Sequence, residues 1–462
     1  MKKSTLGAIV TVSTAVLDAA LAGVGGQNIM RARTSADCCR VLKEATAIAE
    51  IYLPGDTSYQ QQVESYWSIT AQLQPDCFVL PQNTEEVSSA VKTIVEQTDC
   101  KFAVRSGGHS STAGANNIED GVTIDLSLLS GIEYYPETGL ASGLPGTTWL
   151  DVYRTLDPLG RGVPGGRLGH VGVGGFLLGG GFSYYLYRDG VACNSIHGME
   201  VVLANGTIVK ATADRHADLF VALKGGGNNF GIVIRFDMET FETRPIWTWS
   251  KQYPESAGES FEMNSAFDEL GSIPGNISST MGHTNMSTIA LNEQAAGYRN
   301  IWWSLTLRND ERIISKAVTA HQSLVDEMKA ESSDGDFETQ CFFQPFPAFL
   351  GQMGPNSLGI ERHDSNAVVL LASLAVNGAD QETLGREKMF RWKRQVEEYA
   401  RRLDGLLEYT YMNYADGSQD VVRSYGQENV CKMWAVSKKY DPKGVMQTRQ
   451  PGGFKLPMNV SC

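Results

Sequence analysis

Three clusters of glycine restrict the possible folds of this chain more than any other feature of its sequence. They lie at residues 106–110, 163–181 and 224–231. The chain has 48 glycines in 462 residues, a larger share than the roughly 7% of an average protein. Glycine permits positive φ angles and lets backbone N–H groups approach a ligand closely. Successive N–H groups in such turns form concave anion sites.

The spacing within these clusters excludes two common nucleotide-binding motifs. A P-loop requires Lys and then Ser or Thr after its last glycine, but Gly180 and Gly181 follow Gly179. A G-x-G-x-x-G dinucleotide turn fails because Leu177 stands where the third glycine belongs. Glycines that only make tight turns are the alternative for any one cluster. Three clusters together favour a bound cofactor whose diphosphate is held by backbone amides.

His109 lies at the centre of the first cluster. A single histidine more often serves as a structural hydrogen-bonding group. This one stands beside the predicted anion site, and a neutral imidazole nitrogen is a nucleophile. The sequence therefore predicts that His109 can attach a cofactor covalently.

The formal charge of −13 argues against a nucleic acid partner, because a strong negative field repels phosphate backbones. The length predicts two or three domains at about 150 residues each. The eight cysteines contain no C-x-x-C pair, so neither a thiolate zinc site nor a thioredoxin-type redox site is predicted.

Residues 1–22 have the pattern of an export signal. Lys2 and Lys3 precede an apolar run, and an Ala-Leu-Ala cleavage pattern ends at Ala22. A buried N-terminal helix is the alternative. No later apolar run reaches the roughly 18 residues of a membrane span.

Cysteines and sequons fit an oxidising, extracellular compartment. The preferred disulfide joins Cys38 or Cys39 to Cys100, although connectivity cannot be read from spacing. Four N-x-S/T sequons predict a glycosylated protein; they begin at Asn205, Asn276, Asn285 and Asn459.

Local patterns predict several elements. A helix is expected over 84–98, capped by Thr84, and another over 427–440. The segments 101–105 and 122–126 have the pattern of strands. Apolar runs on both sides of Asn205-Gly206 predict a hairpin, and a fall in glycine density near Pro245 suggests a domain boundary there.

Taken together, the motifs resemble a known family. The matching runs are 75–81, 102–110, 172–181, 223–233, 411–414 and 439–442. They are similar to the PCMH-type FAD-binding module of the vanillyl-alcohol-oxidase superfamily, and to its berberine-bridge-enzyme-like branch in the secreted fungal form. The resemblance covers residues 38–445 and is specific for the fold and the cofactor, not for the substrate.

The resemblance implies an α+β fold, in which an FAD-binding module of two subdomains is joined to a substrate domain with an antiparallel sheet covered by helices. The implied limits are a signal peptide at 1–22, a lead-in at 23–70, the FAD-binding domain at 71–245, the substrate domain at 246–405 and a returning C-terminal segment at 406–462.

The resemblance also implies a set of site residues and no metal. His109 would bond to the 8α-methyl carbon of the flavin, while the residues around it would hold the diphosphate. The residues expected to contact FAD are Arg105, Ser106, Gly107, Gly108, His109, Ser110, Val171, Gly172, Val173, Gly174, Gly175, Gly179, Gly180, Gly181, Gly231, Ile232, Val233 and Asn413.

Some positions depart from the family pattern. Doubly linked members have a cysteine where this chain has Leu168, so we expect one covalent link, and this argues against an oligosaccharide oxidase. Val171 resembles the residue that admits oxygen in plant relatives. Tyr187 and Asp189 replace the usual residues after the triple glycine. They are expected either to reshape the rim of the pocket or to lie on a surface turn.

The implied chemistry transfers a hydride to flavin N5 while Tyr411 or Tyr414 removes a proton. A tyrosine with a pKa near 10 is a poor base at neutral pH, so it needs a nearby positive charge or hydrogen-bond donor. A strand would place Tyr411 and Asn413 on one face with Tyr409, whereas a helical turn would join Tyr411 to Tyr414. Asp416 and His283 are weaker candidates for the base.

The aromatic segment 341–349 is expected either to line the pocket or to lie in the core. The leading interpretation is a secreted, monomeric oxidase that takes two electrons from a small secondary metabolite and passes them to O₂. A carbohydrate oxidase and a non-catalytic binding protein on the same fold are the alternatives.

Overall fold

The computed structural model describes residues 35–252, 278–291, 294 and 296–462. The predicted export signal and the sequon at Asn276 lie outside these residues. Within them the chain has the predicted α+β fold, with strands gathered into three main sheets.

The first sheet lies at the beginning of the described chain and has the order β1-β2-β4-β3. Strands β2, β4 and β3 are parallel, and β1 is antiparallel to β2. The elements of this subdomain are α1 (Ser35–Ala45), β1 (Ile51–Tyr52), α2 (Thr57–Glu64), β2 (Cys77–Val79), α3 (Thr84–Gln97), β3 (Phe102–Arg105) and β4 (Val122–Asp125).

The helix α3 buries the side that its apolar spacing predicts. Val87, Ala90, Val91 and Ile94 are fully buried in the core that α1 and α3 share with the first sheet. The cap is one residue earlier than predicted: Asn83, not Thr84, accepts the backbone N–H of Glu86 at 2.9 Å. Asparagine caps more strongly than threonine because its side-chain oxygen reaches the N3 amide readily.

The second sheet is antiparallel with the order β5-β6-β10-β8-β9. The predicted hairpin around Asn205-Gly206 is its β8–β9 edge, and Gly206 has a φ of 80°. The elements of this subdomain are β5 (Ile132–Tyr135), β6 (Leu140–Gly143), α4 (Trp149–Leu156), β7 (Arg161–Gly162), α5 (Val173–Leu178), α6 (Leu186–Asp189), β8 (Ile196–Val202), β9 (Ile208–Thr212), α7 (Ala217–Leu223), β10 (Ile232–Glu239) and β11 (Phe241–Glu242).

The third sheet is antiparallel with the order β15-β16-β14-β17. A separate two-stranded ribbon, β12 with β13, precedes it. Pro245 lies between β11 and β12, and the exact domain limits stay a prediction. The remaining elements are β12 (Ile246–Gln252), β13 (Ser278–Thr284), α8 (Met286–Ile289), β14 (Arg299–Arg308), α9 (Glu311–Glu331), β15 (Phe337–Phe346), β16 (Ala367–Val376), α10 (Ala379–Arg402), β17 (Leu406–Leu407), α11 (Gln427–Tyr440) and α12 (Val445–Thr448).

Helices α9 and α10 cover one face of the third sheet. Trp303 on β14 and Trp392 on α10 are buried edge to face with 4.8 Å between ring centroids, and Trp392 Nε1 donates to Ala317 O at 3.0 Å. Because side chains alternate along a strand, the neighbouring residue Trp302 points to the opposite face. There it contacts Trp67 of the first subdomain at 5.7 Å between ring centroids.

The C-terminal segment returns to the first subdomain. Arg449 O accepts the backbone N–H of Phe102 at 2.7 Å, so the segment caps the start of β3. The guanidinium of Arg449 donates to Cys100 O and Ile94 O. The C-terminal segment is thereby fixed to the end of α3 and to the start of β3, the strand that leads into the first glycine cluster.

Three disulfides are present in the described part of the chain, and they join six of the cysteines. Cys38 is bridged to Cys100, which confirms one of the two preferred pairings. The sequence did not indicate Cys39–Cys77 or Cys431–Cys462. The bridges of the adjacent Cys38 and Cys39 tie α1 to both β2 and the segment before β3. Among the described residues, no helix combines the length and apolarity needed to cross a bilayer.

Candidate active site

A cavity of about 690 Å³ lies where the two sheets of the N-terminal half meet the exposed face of the third sheet. This volume lies in the range of about 300–1,000 Å³ that small-molecule and cofactor sites occupy. All three glycine clusters line the cavity, as do the C-terminal segments around Tyr411 and Gln450. Residues that are far apart in the sequence are therefore brought to one wall.

Two of the glycine turns touch through their backbones. A Cβ on Gly107 would lie 2.5 Å from the backbone nitrogen of Gly172, and a Cβ on Gly172 would lie 2.4 Å from the nitrogen of Gly107. Only glycine fits at either position. The interlocked pair forms one continuous backbone surface on the cavity wall, and Ser106 Oγ anchors it through Pro145 O at 2.5 Å.

Arg105 is not among the residues that line the cavity, and its predicted contact with the diphosphate stays a prediction. Its guanidinium forms a buried salt bridge with Asp125 at 3.1 Å and lies 4.0 Å over the ring of Tyr66. Burial without a charged partner would be costly, and Asp125 on the neighbouring strand supplies that partner. Arg105 supports the turn from behind, because a Cβ on Gly108 would meet its Nε at 2.9 Å.

The third turn closes against β8 and the chain end. At Gly231, where φ is 148°, a Cβ would lie 2.7 Å from Val202 O. Asn228 Nδ2 donates to Gly452 O at 3.0 Å, so the turn also holds the C-terminal segment. Gln450, Gly453 and Phe454 of that segment line the cavity. Sequence reasoning missed them because no motif marks this segment.

The second cluster lines the cavity only in part. Val173 is fully buried in the core, and Gly179, Gly180 and Gly181 are not among the residues that line the cavity, so their contact with FAD stays a prediction. A Cβ on Gly179 would lie 2.0 Å from Asn413 Oδ1, so this glycine makes room for a residue that does line the cavity. The predicted residues that line it are Ser106, Gly107, Gly108, His109, Ser110, Val171, Gly172, Gly174, Gly175, Gly231, Ile232, Val233, Asn413, Tyr411 and Tyr414.

Several polar groups on the cavity wall have no hydrogen-bond partner among the described residues, and their positions suit a bound dinucleotide. In the described part of the chain, the backbone N–H groups of Gly107, Gly108 and His109 are paired with no acceptor, as a diphosphate site requires. Two buried acceptors on the lining, Asn116 Oδ1 and Gln450 Oε1, also have no partner among the described residues. Buried polar atoms are seldom left unpaired, and the hydroxyl and amino groups of FAD are suitable donors to them.

His109 is held on two sides. Its ring stacks on Trp67 with 4.3 Å between centroids and an angle of 7°. Its Nε2 lies 2.6 Å from Nε2 of His170. Burial, and then the neighbouring imidazole, lowers the pKa of His109 to about 3, so the ring is neutral at physiological pH. A neutral ring is what a nucleophilic role needs.

The two predicted tyrosines meet as the helical alternative requires. A short 3₁₀ helix, Met412–Tyr414, follows Tyr411 and brings the rings edge to face, 4.7 Å between centroids. Tyr411 is fully buried and stacks on Phe182 at 3.8 Å. Its hydroxyl accepts the backbone N–H of Phe182 at 2.8 Å and Asn413 Nδ2 at 3.0 Å. Even so, burial raises the pKa of Tyr411 well above its usual value.

Tyr414 has the charged neighbour that the sequence could not name. Arg167 donates a hydrogen bond to the Tyr414 hydroxyl, which in turn lies 3.3 Å from Gln344 Oε1. Burial raises the pKa of Tyr414, and the positive charge of Arg167 opposes that rise. Arg167 belongs to the second glycine cluster, but its pairing with a residue 247 positions away could not be read from the sequence.

The weaker candidates lie elsewhere. Asp416 accepts from the backbone and side chain of Ser418 and pairs with Arg386 at 3.4 Å. His283 is exposed on the ribbon strand β13, opposite Trp247. Neither lines the cavity.

The side of the cavity opposite the glycine turns is largely aromatic. Phe342 is the member of the segment 341–349 that lines it, whereas Phe346 is buried in the core. Arg167 lies 5.2 Å from the ring of Phe342. Trp302 and Tyr184 complete the aromatic lining, and the polar side chains at this end are Glu338 and Gln340. The alternation along β15 exposes 338, 340 and 342 to the cavity and turns the residues between them toward the helices.

The chain is similar to known proteins over most of its length. The family model described as "FAD binding domain" matches residues 75–212. The FAD-dependent monooxygenase sdcF of Emericella nidulans is 38% identical, over 91% of this chain and 98% of that protein. The FAD-dependent monooxygenase drtC of Aspergillus calidoustus is 35% identical, over 91% of this chain and 90% of that protein.

Solved structures share the fold at low identity. The 6-hydroxy-D-nicotine oxidase of Arthrobacter nicotinovorans superposes with a TM-score of 0.70 at 17% identity, covering 88% of this chain and 97% of that one. The glucooligosaccharide oxidase of Acremonium strictum, a protein with a 6-S-cysteinyl, 8α-N1-histidyl FAD, superposes with a TM-score of 0.68 at 20% identity, covering 89% of this chain and 97% of that one.

The contact between the two turns yields a test. In Gly107→Ala, the new Cβ must push back the main chain at Gly172, and overpacking of this kind costs about 1–3 kcal/mol. We expect the purified variant to hold several-fold less FAD, measured by flavin absorbance per protein. Gly282→Ala is the control, because a Cβ there meets nothing within 4 Å. Full FAD content in Gly107→Ala would contradict the interlocked arrangement.

Proposed function

Because this chain belongs to the family of FAD-linked oxidoreductases with a PCMH-type FAD-binding domain and a berberine-bridge-enzyme-like fold, we propose that it is an oxidase of small aromatic metabolites that uses O₂. The observation that carries the proposal is the Arg167–Tyr414 pair, which faces the cavity between the glycine turns and the aromatic wall. Family membership also argues against the non-catalytic alternative.

The residues that would hold FAD are those of the three glycine turns. Bound FAD supplies a two-electron acceptor that takes a hydride from the substrate. The turns at residues 106–110 and 172–175 offer backbone N–H groups to the diphosphate. Gln450 and Asn116 offer side-chain acceptors to the rest of the cofactor.

Tyr414 is the better of the two candidate bases. Its hydroxyl faces the cavity and accepts a hydrogen bond from Arg167, so the phenolate is stabilised where the substrate proton must go. No cation among the described residues donates to the Tyr411 hydroxyl, which is fixed by the backbone N–H of Phe182 and by Asn413. Tyr411 therefore positions Asn413 and Tyr414, and Tyr414 takes the proton.

The cavity chemistry supports an aromatic substrate with an acidic or carbonyl oxygen. Trp302, Tyr184 and Phe342 provide flat apolar surface, and aromatic rings pack favourably against such surface. The guanidinium of Arg167 is the positive group at the centre of this wall and can bind the substrate oxygen. A carbohydrate oxidase is the second candidate, since Glu338 and Gln340 could bind sugar hydroxyls.

The use of O₂ is supported by Val171, which lies on the cavity lining. This residue resembles the oxygen-admitting type in plant relatives. The curated relatives are named monooxygenases, which consume O₂ in a different way. An oxidase releases both oxygen atoms as H₂O₂, whereas a monooxygenase places one of them in the product.

We also propose that FAD is joined to His109 by a single bond and that the protein is a secreted, glycosylated monomer. Leu168 on the cavity lining cannot form a thioether, so no second link is expected. Three disulfides fit an oxidising compartment. The sequons at Asn205, Asn285 and Asn459 are exposed, as glycan attachment requires.

The proposed reaction is tested with substrate panels. We expect H₂O₂ in a 1:1 ratio to oxidised substrate with aromatic alcohols or phenolic polyketides, and none with glucose, cellobiose or xylose oligomers. Isotopically labelled O₂ should leave no label in the product. Turnover of the sugars would favour the carbohydrate oxidase, and label in the product together with a need for a nicotinamide reductant would favour a monooxygenase.

The covalent link has a direct readout. After denaturation and precipitation of the wild-type protein, we expect the yellow colour to stay with the peptide, and the peptide that contains His109 to carry the mass of FAD. His109→Ala should release all of its flavin to the supernatant. Colour lost from the wild-type protein would exclude the covalent link while leaving FAD binding intact.

The base is tested by its pH dependence. Tyr414 acts as the phenolate, so kcat/KM should rise with pH through its pKa. Arg167→Met removes the charge that opposes the raised pKa, and the profile should move about 1–3 pH units higher, whereas Arg167→Lys should stay near the wild type. Tyr414→Phe should lower the rate of anaerobic flavin reduction about 100- to 10,000-fold. An unchanged profile in Arg167→Met would exclude Tyr414 as the base.

A further inference from the structure

The contact between His109 and His170 is unused by the reaction described so far. The two Nε2 atoms are 2.6 Å apart, a distance at which two lone pairs or two N–H groups would repel each other. One ring must therefore donate an N–H to the other. Burial and the neighbouring ring keep His109 neutral, with a pKa lowered to about 3, so its ring carries one proton, on either Nε2 or Nδ1, at neutral pH.

Two arrangements of the neutral His109 ring are possible, and they differ in whether Nε2 or Nδ1 carries its proton. If His109 Nε2 accepts the hydrogen bond, its Nδ1 carries the proton and cannot attack carbon. If His109 Nε2 donates, its Nδ1 holds a lone pair and is a nucleophile. Only the second arrangement permits a bond from Nδ1 to a cofactor.

We propose that His170 is the positioning residue for flavin attachment: it accepts the Nε2–H of His109 and thereby makes Nδ1 the attacking atom. The proposal rests on the covalent link proposed above and adds the residue that activates it. Trp67 fixes the plane of the His109 ring from one side at 4.3 Å, and His170 fixes its rotation from the edge. A ring held in this way has its Nε2 committed to His170, and we propose that its Nδ1 is the atom that bonds to the flavin.

Attachment of the flavin removes two protons and two electrons in total. His109 Nδ1 forms a bond to the 8α-methyl carbon, and that carbon loses one hydrogen as a proton to solvent. His109 then gives up its Nε2 proton to His170, which passes it on to solvent. The electron pair of the broken C–H bond stays in the flavin ring and is removed by O₂, which takes up both electrons and two protons as H₂O₂.

The backbone around His170 sets the position of its ring. His170 is half-buried and lies between Gly169 and Val171 in the second glycine cluster. The backbone N–H of Gly169 is bound to Ala290 O at 2.8 Å, and the N–H of Val171 lies 3.4 Å from Leu168 O. The backbone on both sides is thus held, which sets the position of the ring.

The test compares three variants of the full-length protein, incubated aerobically with FAD. His170→Phe keeps a ring but removes the acceptor, and we expect its initial rate of covalent attachment to fall at least about ten-fold, read as flavin fluorescence in denaturing gels and by intact mass. His170→Gln retains a hydrogen-bond acceptor and should recover part of the rate. His321→Phe, a half-buried histidine that packs on Trp392 away from the cavity, should match the wild type.

Total FAD in the native protein separates loss of attachment from loss of binding. We expect His170→Phe to retain FAD through native gel filtration and to release it on denaturation. NMR of the wild-type flavin peptide should show attachment at Nδ1. Attachment at Nε2, or wild-type rates in His170→Phe, would overturn the role of His170 and leave the covalent link standing. A wild-type protein with only releasable FAD would overturn the link itself, and this inference with it.

Discussion

The backbone contact between the turns at Gly107 and Gly172 is the constraint on which the site depends. It joins the end of a parallel strand in the first subdomain to the start of a short helix in the second. Any side chain at either position would separate the two subdomains by the width of a methyl group. Because the contact is between main-chain atoms, no rotamer change can relieve an overlap there. A side chain at either residue would therefore have to displace the main chain that forms the cavity wall.

The charges near this wall are arranged to leave it free for a ligand. Arg105, the cation nearest to the first turn in sequence, is neutralised by Asp125 and covered by Tyr66. The wall therefore presents amide dipoles and not a fixed positive charge, which suits a protein with a net charge of −13. Arg167, the guanidinium that lines the cavity in the described part of the chain, contacts Tyr414 and Phe342. Within one cavity, backbone amides are thus the groups proposed to bind the cofactor, and the Arg167–Tyr414 pair is the group proposed to remove the proton.

Much of the fold could be predicted because its signals are local. The helix Thr84–Gln97 and the hairpin at Asn205-Gly206 follow from apolar spacing and turn chemistry. The errors also have local causes: the cap at Asn83 stands one residue before Thr84, and both residues are suitable caps. The amino-acid sequence also could not show which glycines of the second cluster face the cavity and which make room for a neighbouring side chain. Gly179 serves to make room for Asn413, and glycines that admit a side chain look the same in sequence as glycines that admit a ligand.

The cofactor class, the family and the histidine at the centre of the first turn could be inferred from the amino-acid sequence, because they depend on residue types at fixed, short spacing. The pairing of Arg167 with Tyr414 and of His170 with His109 could be seen only in the folded chain. Arg167 and Tyr414 are 247 positions apart, and His109 and His170 are 61 apart. Contacts of that range are set by how the sheets pack, and packing is a property of the whole chain that no local pattern encodes.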